Sequence, residues 1–352
     1  MENKKNSHNN KFFKSRSWFI GGGMIAFLVG IVAASVFWHI HTIAEIQSIS
    51  AQVKPFRQNS SQYQYINPLL GYDVPGDVKE FNEYKPLENS IENMTSVQKS
   101  NLDSYSVYFR DLSLGRWMMA GDNGSYAPAS MMKVAIMVAY YKEAEDDATI
   151  LQHTLVYSTS TADQINGVPF ETPSNLQVGK SYTTEQLIEA MIISSDNGAK
   201  NILLDNIDQK DLDEIYTDLG LPNPDSTNNY TISAKQYSVL LRVLYNATYL
   251  SRNYSEQALK IMSQAKYNQG LVAGVPKGTI VAQKFGENVD DSNGNAPEIT
   301  LSNCGIVYQQ THPYILCVMT KGKNAPALAK VIAAISQTVW NEVNSYAQGK
   351  NY

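Results

Sequence analysis

A serine and a lysine three residues apart can place a nucleophile and its base on one helical face. A serine hydroxyl is a weak nucleophile and needs a group to take its proton. Three such pairs occur in this chain, Ser96–Lys99, Ser130–Lys133 and Ser263–Lys266. Only the middle one follows a Tyr126-Ala127-Pro128-Ala129 turn and opens an apolar helix, Val134-Ala135-Ile136-Met137-Val138-Ala139. A hydroxyl there sits at a helix N-terminus, where the dipole favours developing negative charge. Lys133 lies on the same face, within reach of it. The ordinary alternatives are a capping role for Ser130 and a solvated charge for Lys133. The five histidines (His8, His39, His41, His153, His312) form neither a recognisable Ser-His-Asp arrangement nor a metal-ligand cluster. A neutral lysine is therefore the available base, and no metal or cofactor is expected.

Two further elements change the weight of that pair. Ser195-Asp196-Asn197 lies between two apolar helical stretches, and Lys284-Phe285-Gly286 ends the strand-like run Thr279–Gln283. Alone, the first reads as a capping turn and the second as an ordinary strand end. A second cation brought close to Lys133 by the fold would lower its pKa toward that of a base.

In this order and these settings the three elements resemble the motifs of the penicillin-recognising serine hydrolases, most closely the class A β-lactamase-like family. The resemblance runs from about Tyr105 to Thr338. It includes Tyr182-Thr183-Thr184-Glu185-Gln186-Leu187 before Ser195 and Val275-Pro276-Lys277-Gly278-Thr279 before Lys284. It implies that Ser130 forms an acyl-enzyme with a β-lactam or with a D-Ala-D-Ala-type peptide such as a peptidoglycan stem peptide. Ser195 would relay a proton to the leaving nitrogen, Asn197 would bind the substrate amide, and Lys284 would supply positive charge for a substrate carboxylate. The backbone N–H groups of Ser130 and Glu287 would form the oxyanion hole.

The chain departs from the family in two places. The segment Leu221–Tyr230 is short and holds no Glu to activate a deacylating water. Asp225 is its one carboxylate, and Glu214 belongs to the preceding helix, where a solvated face is the simpler reading. Phe285 stands between Lys284 and Gly286, where the family has a hydroxyl that donates to the substrate carboxylate, and Glu287 adds a negative charge beside it. The expectation is slow deacylation and an altered substrate. The competing reading is a catalytically silent module of the same fold that binds a wall component or a partner protein.

The elements that must position these residues read as follows. Strands are expected at Tyr105–Arg110, Trp117–Ala120, Thr279–Lys284, Glu298–Tyr308 and Tyr314–Thr320. Helices are expected at Leu87–Lys99, Ser130–Glu145, Thr184–Ser194, Gly198–Asp205, Asp211–Leu219, Ser233–Tyr249, Ser255–Gln264 and Ala325–Tyr346. Two strands, many helices, three strands and a helix make an α+β fold, with a five-stranded antiparallel sheet flanked by helices and an all-helical subdomain inserted. Cys304 and Cys317 fall in the last hairpin, where they could face each other. A disulfide and two buried thiols both remain open at this point.

The 352 residues carry 28 Lys+Arg, 33 Asp+Glu and a net charge of −5. That balance argues against a nucleic-acid partner. Residues 1–40 hold five basic side chains and one acid, so the tip is +4 and the remainder −9. Trp18–Ile40 has no charged residue over 23 positions, a length of roughly 34 Å as a helix, enough to cross a bilayer. The expected plan is a basic cytoplasmic tail at 1–17, a single membrane helix at 18–40, a stalk at 41–65 and a hydrolase domain at 66–352. The positive tip places that domain outside the cell membrane.

Overall fold

The computed structural model describes residues 30–38, 57, 62–70, 84–96, 101–158, 170, 172–224, 230–290 and 297–347. The chain divides into two compact units, Met1–Lys54 and Pro55–Tyr352. In the first unit residues 30–38 are helical and exposed. Residues 18–29 and 39–40 of the expected membrane helix lie outside the described residues, as do 41–56 and 58–61 of the stalk. Among the described residues no helix is long and apolar enough to cross a membrane.

The second unit is built on five strands: β1 (Ser104–Asp111), β2 (Trp117–Gly121), β5 (Val281–Asp290), β6 (Glu298–Val307) and β7 (Tyr314–Gly322). Their order is β2-β1-β7-β6-β5, and neighbours pair antiparallel throughout. Alternation along β1 feeds two cores. Val107 and Phe109 join α1 (Lys85–Ser96) and the terminal helix α8 (Ala325–Ala347) on one face, while Tyr108 joins the helical insertion on the other.

The insertion between β2 and β5 holds α2 (Lys133–Asp146), α3 (Thr184–Ile193), α4 (Asn197–Asn206), α5 (Gln209–Asp218), α6 (Ala234–Asn246) and α7 (Arg252–Ser263). It is not all-helical as expected. A two-stranded ribbon, β3 (Thr154–Val156) with β4 (Ser181–Thr183), crosses it. Three-residue strands this short carry too little alternation to be read locally. Capping boxes start α3 at Thr183 with Gln186 and α6 at Ser233 with Gln236, fixing where each helix begins. On α7, Glu256 accepts the backbone N–H groups of Gln64, Tyr65 and Ile66 at 2.8–2.9 Å.

Cys304 and Cys317 are direct cross-strand partners in the β6–β7 register and are paired as a disulfide, with Cα atoms 4.0 Å apart. In the same hairpin's turn, the His312 ring nitrogen Nδ1 lies 3.1 Å from Asp111 Oδ2. The hydrogen bond to Asp111 raises the His312 pKa, against the opposing effect of burial. A raised folded pKa gives stability that is present below the unfolded value near 6.5 and lost as pH rises through the folded one. His312→Ala should therefore cost about 1 kcal/mol at pH 5.5 and clearly less at pH 8.5, read by thermal unfolding. An equal cost at both pH values would mean that packing against Tyr346, and not charge, is what the ring supplies.

Candidate active site

Ser130 does not begin α2. It lies in a 3₁₀ turn, Ala129–Met132, and the helix proper starts at Lys133 with Met132 as its cap residue. The Ser130 hydroxyl is thus not consumed as the helix cap. The turn is closed by Met131 N–H donating to Pro128 O at 3.0 Å, and Ala129 enters it at φ 46°. Positive φ in a residue with a Cβ is strained and persists only where surrounding structure imposes it.

Lys133 is buried, at 2% exposure, so the solvated-charge reading fails. Its amine donates to Ser195 O at 2.6 Å, Asn197 Oδ1 at 2.6 Å and Ser195 Oγ at 3.2 Å. These bonds tie the first turn of α2 to the Ser195–Asn197 turn.

That turn is held from below. Ser195 has φ 58°, and Asp196 caps α4 by accepting from Ala199 N–H at 2.7 Å. The capping role read from sequence is real, and it coexists with the site. Asp196 also accepts from Tyr157 Oη at 3.0 Å and from the Ser174 hydroxyl, while Thr172 Oγ1 donates to Ser194 O at 3.1 Å. Tyr157, Thr172 and Ser174 went unnoticed in the sequence. Nothing local marks them, because their contacts span 22 to 39 residues.

Lys284 arrives from β5, at 1% exposure. Its amine donates to Ser195 Oγ at 2.9 Å and to Phe285 O at 3.1 Å. Burial, and then the nearby Lys133 charge, hold Lys284 well below the ordinary lysine pKa. Two amines therefore converge on one serine hydroxyl, and Lys284 is pushed toward its neutral form. β5 does not end at this lysine as expected but runs on to Asp290.

Gly286 is where β5 meets the Ser130 turn. A Cβ there would lie 2.1 Å from Pro128 O and 3.1 Å from Met131 N. Phe285 stacks on Tyr267 at 4.2 Å between centroids, and its ring lies 4.5 Å from the Lys284 amine. Burial pushes the Glu287 carboxyl up to about 7. Glu214 is exposed and pairs with Lys210 at 3.5 Å on the outer face of α5, away from any chemistry. Asp225 lies outside the described residues. The structure thus brings Lys133, Ser195, Asn197 and Lys284 into direct contact. It sets Gly286 against the turn that carries Ser130.

Comparison with known proteins agrees with this geometry. A family model described as the beta-lactamase enzyme family matches residues 86–343. No curated protein matches. Among solved structures, PBP-A is 23% identical over 76% of this chain and 99% of its own, with a TM-score of 0.63. A variant of it has been solved as an acyl-enzyme complex with penicillin G. A class A β-lactamase from Mycobacterium abscessus is 17% identical over 73% of this chain and 99% of its own, with a TM-score of 0.62. A β-lactamase from Xanthomonas campestris pv. campestris is 19% identical over 73% and 98%, with a TM-score of 0.61. At these identities the solved structures establish a common fold.

Proposed function

From the premise that this chain belongs to the beta-lactamase enzyme family and is a serine hydrolase, we propose that it is acylated on Ser130 by β-lactams or D-Ala-D-Ala-type peptides and releases the acyl group slowly. The observation that carries this reading is the convergence of two buried amines on Ser195 Oγ, at 2.9 and 3.2 Å. Lys133, three residues beyond the nucleophile, acts in its neutral form and takes the Ser130 proton. Ser195, touching both amines, passes a proton to the leaving nitrogen. Asn197 bonds the substrate amide, and the N–H groups of Ser130 and Glu287 meet the developing oxyanion. Slow release follows from Leu221–Tyr230, which offers no Glu to activate a water.

The chain is further read as a single-pass membrane protein with its hydrolase domain outside the cell membrane. The uncharged Trp18–Ile40 run behind a +4 tip supports this. The Cys304–Cys317 disulfide supports an oxidising compartment. Protease added to intact cells should digest the domain, and full protection would refute the orientation.

The test of the chemistry uses the full chain in detergent with a reporter penicillin, followed by intact mass and peptide mapping. A lasting adduct on the peptide containing Ser130 is expected. Rapid loss of drug with no adduct would overturn slow release. The alternative, a silent binding module, is favoured by Phe285 and by the short Leu221–Tyr230 segment. Neither adduct nor turnover would decide for it.

A further inference from the structure

One pair of polar side chains at this site is left without a role. Both carboxyl oxygens of Glu287 are buried and bond to nothing, and so is the hydroxyl of Tyr267. Buried polar groups in native proteins almost always find partners, so an orphan pair calls for an explanation. Burial, and then the Glu287 charge, raise the Tyr267 hydroxyl above its ordinary pKa. Strand alternation puts Phe285 and Glu287 on the same face of β5, and Tyr267 stacks on Phe285. The Phe285 ring adjoins the Lys284 amine, so the cluster borders that lysine.

We infer that Glu287 and Tyr267 form a subsite for a primary carboxamide on the substrate, in the place where a carboxylate would otherwise be held. The inference rests on Ser130 being the acylated residue. A carboxamide carries both donors and an acceptor. Its N–H meets the Glu287 carboxyl and its C=O takes the Tyr267 O–H, so both orphans are satisfied at once. A carboxylate offers acceptors only and would set a second negative group beside Glu287. Phe285 has no donor to offer it. Lys284, held toward its neutral form, is short of the charge that would balance it. An ammonium offers donors only and leaves the tyrosine proton unused. β5 is an edge strand and Glu287 as a residue is partly exposed, so this end of the site adjoins solvent.

The test is binding, kept separate from acylation. The full chain carrying Ser130→Ala, in detergent, is titrated by calorimetry with an acyl-D-Ala-D-Ala peptide and with the same peptide as its C-terminal amide. The amide should bind at least about tenfold tighter. Glu287→Ala and the gentler Tyr267→Phe, each added to that background and checked for an unchanged thermal transition, should each shrink the preference to about threefold or less. Equal or tighter binding of the carboxylate peptide overturns the inference. So does binding of neither peptide, or a preference that survives both substitutions. Absence of a penicillin adduct on the unsubstituted chain would count against Ser130 as nucleophile alone, and an amide preference in the same experiment would still stand.

Discussion

Replacing Lys133 with methionine should slow acylation of Ser130 by about a thousandfold while leaving the protein folded. General acid–base groups typically contribute 10²–10⁴ in rate, and the middle of that range corresponds to about 4 kcal/mol of barrier. Methionine matches the length of the lysine stem and fills its buried path. What it cannot do is take a proton or donate to Ser195 O, Ser195 Oγ and Asn197 Oδ1, the three groups the amine now holds. Loss of these bonds leaves two carbonyl oxygens short of a donor. Removal of a buried charge works in the opposite direction on stability. The two effects offset, so the thermal transition should move by only a few degrees. Lys133→Arg should not restore the rate, because a planar fork that stays charged cannot act as a base. The check is the rate of adduct formation by mass spectrometry at several drug concentrations. A Lys133→Met protein that acylates within tenfold of the parent would move the role of base elsewhere. Lys284, which shares Ser195 Oγ and is already held toward neutrality, would be next in line.

The Lys133 case also shows how far the sequence could be read. Motif spacing identified which serine and which lysines meet, because each motif sits where one element hands over to the next. Element order identified the sheet, since two strands, a helical run and three strands admit few arrangements. Local pattern could not supply what depends on distant neighbours. The Ser130 segment reads as the first turn of an apolar helix, yet Pro128 and the approach of β5 hold it as a 3₁₀ turn entered at positive φ. Lys133 reads as a neighbour of Ser130, but its bonds to Ser195 and Asn197, more than 60 residues on, have no local signal. β5 reads as ending at Lys284, because Gly286 and Asn288 interrupt its apolar pattern. Pairing with β6 carries it to Asp290 all the same. Phe285 could be recognised as a departure from the sequence alone. Its stacking on Tyr267 could not, because that contact exists only once α7 has docked against β5.

Gly286→Ala is the second substitution expected to act strongly, and it does so with a single methyl group. The backbone at Gly286 needs no special φ, so space is the whole argument. The added Cβ would stand 2.1 Å from Pro128 O, a contact no real carbon tolerates. Pro128 O cannot simply yield, since it accepts the Met131 N–H that closes the turn carrying Ser130. Either the turn opens or β5 retreats, and both separate the same two partners. Lys284 lies two residues before the clash, and the Glu287 N–H proposed for the oxyanion lies one residue after it. Misalignment of one oxyanion donor costs about 10²–10³ in rate, and an ångström of misplacement about 10². Acylation should therefore fall at least about a hundredfold. The overpacking itself should cost only about 1–3 kcal/mol of stability. Gly278→Ala is the matched control. It strains a backbone at φ +93° but meets nothing within 4 Å, so it should lower stability and leave the acylation rate alone. If Gly286→Ala is acylated at the parent rate, the contact between β5 and the Ser130 turn does not define the site, and the oxyanion donors must be sought on another element.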